Sequence, residues 1–261
     1  MLANLFAVSH LTHATAQSSL RDSFASQLAL ATAPTSEKDF NGKLVETGAP
    51  VAVVQIDKIG LNETIVEGTD SNSLRSGVGH RRDTVLPGQE GISILFGKAF
   101  TYGAPFANIA KLKKGDSITC YTGQGKSTYK VTGVRYAGDK GLAPVKAGTG
   151  HLVLTSAIVS NFTATGVVRV DAELQGQAFT SGERVTKWAS IPAYERELAY
   201  DDRYAWLLVV SLALLVVLEF LAIWSRKRFG LAKTWLVYTP AFAVVVVIAA
   251  NQFTLLLPNL L

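Results

Sequence analysis

Apolar and polar positions along this chain fall into three textures. Between residues 51 and 174 the apolar positions come in short runs, VAVVQID, ETIVE, GISILFG, SITCYT, STYKVTGVRY, HLVLTSA and VVRVDAEL, separated by turn-forming residues. Short β-type runs bounded by turns predict strands, and Gly123-Gln124-Gly125 between two of them predicts a hairpin. Seven short strands with little helix between them predict a compact β-barrel or sandwich over residues 51–178.

The second texture is C-terminal. Residues 205–224 carry one charge, Glu219, and residues 235–257 carry none. Neither run has a polar face, and at about 1.5 Å rise per residue each is long enough for a hydrocarbon core of about 30 Å. Two transmembrane helices are therefore predicted, at 205–224 and 234–257. The connecting residues 225–233 hold Arg226, Lys227, Arg228 and Lys233 and no acid. Short basic loops stay cytoplasmic, so the β domain and the residues after 257 are predicted to lie on the extracytoplasmic side.

The third texture is N-terminal. Residues 1–11 are apolar over half the length of a span, and no basic region precedes them, unlike a secretory signal. They read either as the outer half of a membrane span that begins further upstream or as a short interfacial helix. A helical pattern continuing through residues 17–30 favours the first, so 1–30 is predicted as one helix. Residues 31–50 form a linker rich in Thr, Pro and Gly, and residues 179–204 a partly helical stalk with irregular apolar positions.

Composition fits this division. Hydrophobic residues make up 48% and charged residues 17%, too apolar for a soluble domain unless the C-terminal runs hold the excess. The single cysteine, Cys120, rules out an intrachain disulfide and reads as a small core residue. The net charge of +5 is not gathered into a basic stripe interleaved with aromatics, which argues against nucleic-acid binding. His10, His13 and His151 have no partners at zinc-ligand spacing, and Asp70, Asp83, Glu90, Asp116 and Asp139 are spread singly. No metal or cofactor is expected.

The run VQIDKIGLNETIVEGTDSNSLRSGVGH resembles the opening of a bacterial sortase, closest in flavour to actinobacterial class E sequences. The segments TVLPGQEGISILFGKAFTYGAPF, LKKGDSITCYTGQGKSTYKVTGV and HLVLTSA…VVRVDAEL continue the resemblance across residues 51–174. The resemblance implies a closed β-barrel flanked here by an N-terminal helix and two C-terminal transmembrane helices. It also implies chemistry: sortases cut a sorting signal and join the new carboxyl end to an amine. That reaction needs a cysteine thiolate, a histidine that handles the proton and an arginine for the developing oxyanion.

Each family position is occupied by something else. The histidine belongs after the glycine that ends the fourth strand, where the chain reads Gly97-Lys98. The cysteine belongs at the end of HLVLTSA, where it reads Thr155-Ser156-Ala157. The arginine belongs about seven residues before the end of VVRVDAEL, where it reads Val167. A Cys-to-Ala change alone would suit an engineered trap; Lys98 and Val167 make that explanation insufficient. A Lys98–Thr155 or Lys98–Ser156 dyad is disfavoured, since a hydroxyl is a weak nucleophile without a strong, positioned base. Arg169, two residues beyond Val167, shares its face and reads either as a substitute arginine or as a solvated strand residue. His80 matches a loop histidine of the family.

Lys98, Tyr102, Thr155 and Arg169 are thus candidates for binding in a groove. Glu219 costs on the order of 3 kcal/mol inside a membrane, so it is expected either to snorkel towards Arg226 or to contact another membrane subunit. The expected function is a non-catalytic accessory or scaffold in a cell-envelope membrane complex, with an integral membrane protein partner. One alternative is capture of an extended peptide or surface protein; another is a transpeptidase with a rebuilt site.

Overall fold

The computed structural model describes residues 2–142, 144–161, 163–182 and 184–261, with side chains from Ser9 onward. Helix α1 (Leu2–Ala29) opens the chain and contains neither Gly nor Pro. It stops where Ala31 turns left-handed, at φ 53°, and the Thr32 N–H reaches back to the Gln27 carbonyl at 2.9 Å.

The barrel follows. Its strands are β1 (Pro50–Ile56), β2 (Leu61–Glu67), β3 (Val78–His80), β4 (Gly91–Phe96), β5 (Ser117–Thr122), β6 (Gly125–Arg135), β7 (Gly150–Ser160) and β8 (Thr163–Gln175). They close in the order β1-β2-β3-β4-β7-β8-β6-β5, with β5 returning to β1. Short helix α2 (Ser71–Ser76) links β2 to β3 and is capped by Asp70, whose carboxylate accepts from the Ser73 N–H at 2.8 Å. Alternating residues fill the interior: Val54, Ile65, Leu95, Ile118, Cys120, Tyr129, Leu154 and Val170 are fully buried in one cluster. Burial pushes the Cys120 thiol up, so this cysteine is a core residue with little thiolate.

Two differences from the sequence reading have simple causes. Strand β3 was not predicted, because three residues give no period to read. Helices α3 (Ala205–Phe229) and α4 (Leu231–Leu255) leave Gly230, at φ 86°, between them instead of a loop over 225–233. Arg226, Lys227 and Arg228 form the last turn of α3, where helix-forming side chains and the helix dipole both favour them. Both helices are long and apolar enough to cross a membrane, and little of either apolar stretch is buried within the molecule.

The helix α1 is fastened to the barrel by polar side chains. Gln17, nearly fully buried, donates to the carbonyls of Ser76 (2.7 Å) and Thr64 (3.3 Å) and accepts from the Thr64 N–H (2.7 Å). Thr64 lies just before β2 begins pairing with β3, so one amide side chain closes a strand edge that would otherwise stay open. His13 bonds the Arg75 carbonyl and the Glu63 carboxylate, both at 3.1 Å. The expectation that residues 1–11 belong to a membrane span concerns side chains of which 1–8 lie outside the described set.

The 179–204 segment is strapped to the barrel rather than free. Glu37 accepts from the N–H groups of Val185 and Thr186, Arg82 pairs with Glu195, and Arg169 pairs with Glu197. At its end Arg203 bridges Asp201 (2.7 Å) and Asp70 (2.8 Å) and lies 3.7 Å from the Tyr194 ring centroid.

Candidate functional site

The register of three strands brings the candidate positions to one outer face. Strands β4 and β7 run parallel with Phe96 opposite Thr155, while β7 and β8 run antiparallel with Ala157 opposite Val167 and Thr155 opposite Arg169. Leu152, Leu154, Val168 and Val170 point into the core, so Thr155, Ala157, Val167 and Arg169 face outward together. Just past β4, the Gly97 N–H bonds the Thr155 carbonyl (3.1 Å) and the Ser156 hydroxyl donates to the Gly97 carbonyl (2.8 Å). Lys98 follows, two residues beyond the last β4–β7 pair.

Lys98 is completely buried, and its Nζ has no hydrogen-bond partner among the described residues. Burial lowers its pKa to about 7, because the charged ammonium is desolvated there. The Tyr102 ring centroid lies 5.7 Å from Nζ. The Tyr102 hydroxyl bonds Asn251 (2.7 Å) and Thr254 (2.6 Å) on α4, and burial raises its pKa. Gly97 and Gly103 bracket this loop: a Cβ at the first would strike the Phe106 ring, and at the second the His13 ring.

Among the described residues Thr155 Oγ1 is likewise buried without a partner, so Lys98 and Thr155 do not hydrogen-bond to each other. Arg169 is engaged by Glu197 of the strap. His80, fully buried, lies between the Glu67 carboxylate (2.8 Å) and the Val85 carbonyl (2.9 Å). Glu219 is exposed on α3 and has no ion-pair or hydrogen-bond partner among the described residues, Arg226 included.

Sequence reasoning missed the occupant of this face. Residues 258–261 turn back from α4 onto the barrel. The Ala99 N–H donates to the Leu260 carbonyl (2.9 Å), and the Thr101 N–H and hydroxyl both donate to the main-chain oxygen of Leu261 (3.0 Å each). The Asn259 side-chain NH2 donates to the carbonyls of Arg196 (2.6 Å) and Thr69 (3.1 Å), and its main-chain N–H to Ala199 (2.9 Å). Leu260, fully buried, packs with Leu74, Phe96, Ala157 and Val167. The one available signal was topological: two consecutive apolar helices of equal length bring the chain back to the level of the barrel.

Comparison with known proteins agrees with this architecture. Residues 54–164 match the sortase domain family. Sortase D of Bacillus subtilis (strain 168) is 36% identical over 86 residues, which cover 33% of this chain. The match spans 42% of that relative's length. Among solved structures, the Clostridium perfringens Sortase D5 transpeptidase shares the fold, with a TM-score of 0.51 at 20% identity over 62% of this chain and 99% of that one. Sortase E from Streptomyces avermitilis overlays 58% of this chain and 99% of its own at 28% identity and a TM-score of 0.42. Strand order, domain match and shared fold meet on the same residues, and the barrel is similar in sequence and fold to a sortase domain.

Proposed function

We propose that this protein binds where its relatives cut: a non-catalytic sortase-fold subunit, anchored by α3 and α4, that serves as an accessory or scaffold in a cell-envelope membrane complex. The observation that supports it most is the make-up of one face. Lys98, Ala157 and Val167 stand where the family resemblance expects histidine, cysteine and arginine, and Leu260 packs against two of them. Among the described residues this face holds no thiol and no base bonded to the Thr155 hydroxyl, which supports a reading without an activated nucleophile for acyl transfer. In this reading the barrel lies on the extracytoplasmic side, the Arg226–Arg228 turn on the cytoplasmic side, and Glu219 meets a membrane partner.

The test is intact-mass spectrometry of the purified full chain incubated with sorting-signal peptides. No mass adduct is expected. An adduct mapped to Thr155 or Ser156 would instead establish a rebuilt transpeptidase. A pull-down in mild detergent from native membranes should recover a membrane protein at constant ratio; recovery of the chain alone would remove the scaffold reading. Peptide capture remains as a second reading, favoured by the main-chain bonds that hold residues 260–261 against the Ala99–Thr101 loop.

A further inference from the structure

We propose that the Lys98 amine is an acid-sensitive latch: on taking up a proton it parts the loop 98–102 from the end of α4 and from residues 258–261. Four consecutive residues of that loop bond the C-terminal part of the chain. The Ala99 N–H donates to the Leu260 carbonyl (2.9 Å), and the Phe100 (3.3 Å) and Thr101 (3.0 Å) N–H groups to the main-chain oxygen of Leu261. The Tyr102 hydroxyl bonds Asn251 (2.7 Å) and Thr254 (2.6 Å) on α4. Residues 258–261 meet the loop as a turn, closed by the Leu261 N–H on the Pro258 carbonyl (2.8 Å). Lys98 opens this docked loop, fully buried and with no partner for Nζ among the described residues.

The charges around the loop are committed elsewhere. Residues 251–261 and strand β4 carry no ionisable side chain, and on β7 His151 stands near the start while the loop meets that strand at Thr155. On β8, Asp171 is taken by Arg135 and Arg169 by Glu197, while Glu173 is exposed opposite His151. In the strap, Glu195 is taken by Arg82 and Asp201 by Arg203. Helix α2 brings a second cation, Arg75, towards Tyr102, and α1 brings His13, itself bonded to Glu63. An ammonium at Lys98 meets the Tyr102 ring, 5.7 Å from its centroid, which returns a small part of the hydration lost. The docked loop therefore favours the neutral amine, and an undocked loop, with the amine in water, favours the ammonium. The buried pKa of about 7 against an ordinary 10.5 sets the window. Docking is strongest above pH 10.5, weakens about tenfold per pH unit down to pH 7, and weakens no further below. The device works equally in an inert and in an active barrel.

Hydrogen exchange of the full chain in detergent reads the latch at the amides of Ala99, Phe100 and Thr101, as protection factors corrected for the intrinsic rate at each pH. From pH 9 to pH 7 their protection should fall on the order of 100-fold. Gly97, whose N–H bonds Thr155 within the barrel, should keep its protection over the same range. Lys98→Met should flatten the profile at Ala99, Phe100 and Thr101. If that variant fails to fold by circular dichroism, Lys98→Gln supplies the same comparison. Equal pH profiles in the wild type and the Lys98 variants would overturn the latch, since another group would then be titrating. A fall shared by Gly97 and the β7 amides would overturn it too, since the whole barrel would then be opening. Exchange needs no turnover, so a mass adduct that sinks the non-catalytic reading leaves this result standing.

Discussion

Lys98 is the residue whose chemistry departs furthest from its sequence context. Its pKa falls from 10.5 to about 7 in the folded protein, with burial as the cause. Between those values the unfolded chain holds the proton and the folded chain has largely released it, so folding stability rises with pH across the window. Below about pH 7 both states are protonated and the full penalty is present, up to about 5 kcal/mol at 1.36 kcal/mol per unit. Lys98→Met, which keeps the length and discards the charge, should therefore raise the melting temperature at pH 7. The wild-type melting temperature should climb from pH 7 to 9.5 while that of the variant stays flatter over the same range. Parallel profiles would mean that Lys98 reaches water or a counter-charge. The position of Lys98 was legible in the sequence, because the Gly97-Lys98 pair follows a strand-like run and precedes the Thr101–Phe106 motif. Its burial was not legible. That depends on α4 and the returning segment, which lie more than 130 residues away in sequence.

At the scale of elements, the period-two runs identified seven strands because each strand has one face in the core. The eighth, β3, escaped because Val78–His80 is three residues long and pairs parallel to β2, where no hairpin turn announces it. The seam between α1 and β2 was also invisible, since nothing in the pattern around Gln17 marks a glutamine that completes a strand edge. That seam makes a prediction. Gln17→Leu removes two donated bonds and one accepted bond from main-chain groups of Thr64 and Ser76. Buried main-chain groups left unpaired cost about 1–3 kcal/mol each, partly relieved where water can enter. The variant should lose on the order of 2 kcal/mol of stability. Amide exchange should quicken at Thr64 before it does in β7 or β8. Uniform acceleration across the barrel would indicate that α1 is integral to the core rather than clamped onto it.

Across the whole molecule, the chain closes a loop on itself. The strap leaves β8, α3 and α4 form a hairpin, and residues 258–261 return to the barrel between the strap and the Lys98 loop. Such tethering raises the effective concentration of the returning segment at its seat. One side chain sits where the loop closes. Arg203, at the foot of α3, bonds Asp201 and also Asp70, which caps α2; the residue next to Asp70, Thr69, accepts from Asn259, and α2 itself supplies Leu74 to the Leu260 pocket. The hairpin and the seat are therefore coupled through one guanidinium. Arg203→Met would leave the nearly buried carboxylates of Asp70 and Asp201 without their shared cation, a change of about 2–3 kcal/mol after allowance for the partial exposure of Arg203. Its effect should fall on the seat as well as on stability. With a thiol placed at Ala157, which Leu260 covers, maleimide labelling should quicken in Arg203→Met, because α2 and the foot of α3 would lose their shared anchor. A labelling rate unchanged by Arg203→Met would show that the hairpin's footing and the occupied face are independent, and that the tail is held by its own contacts alone.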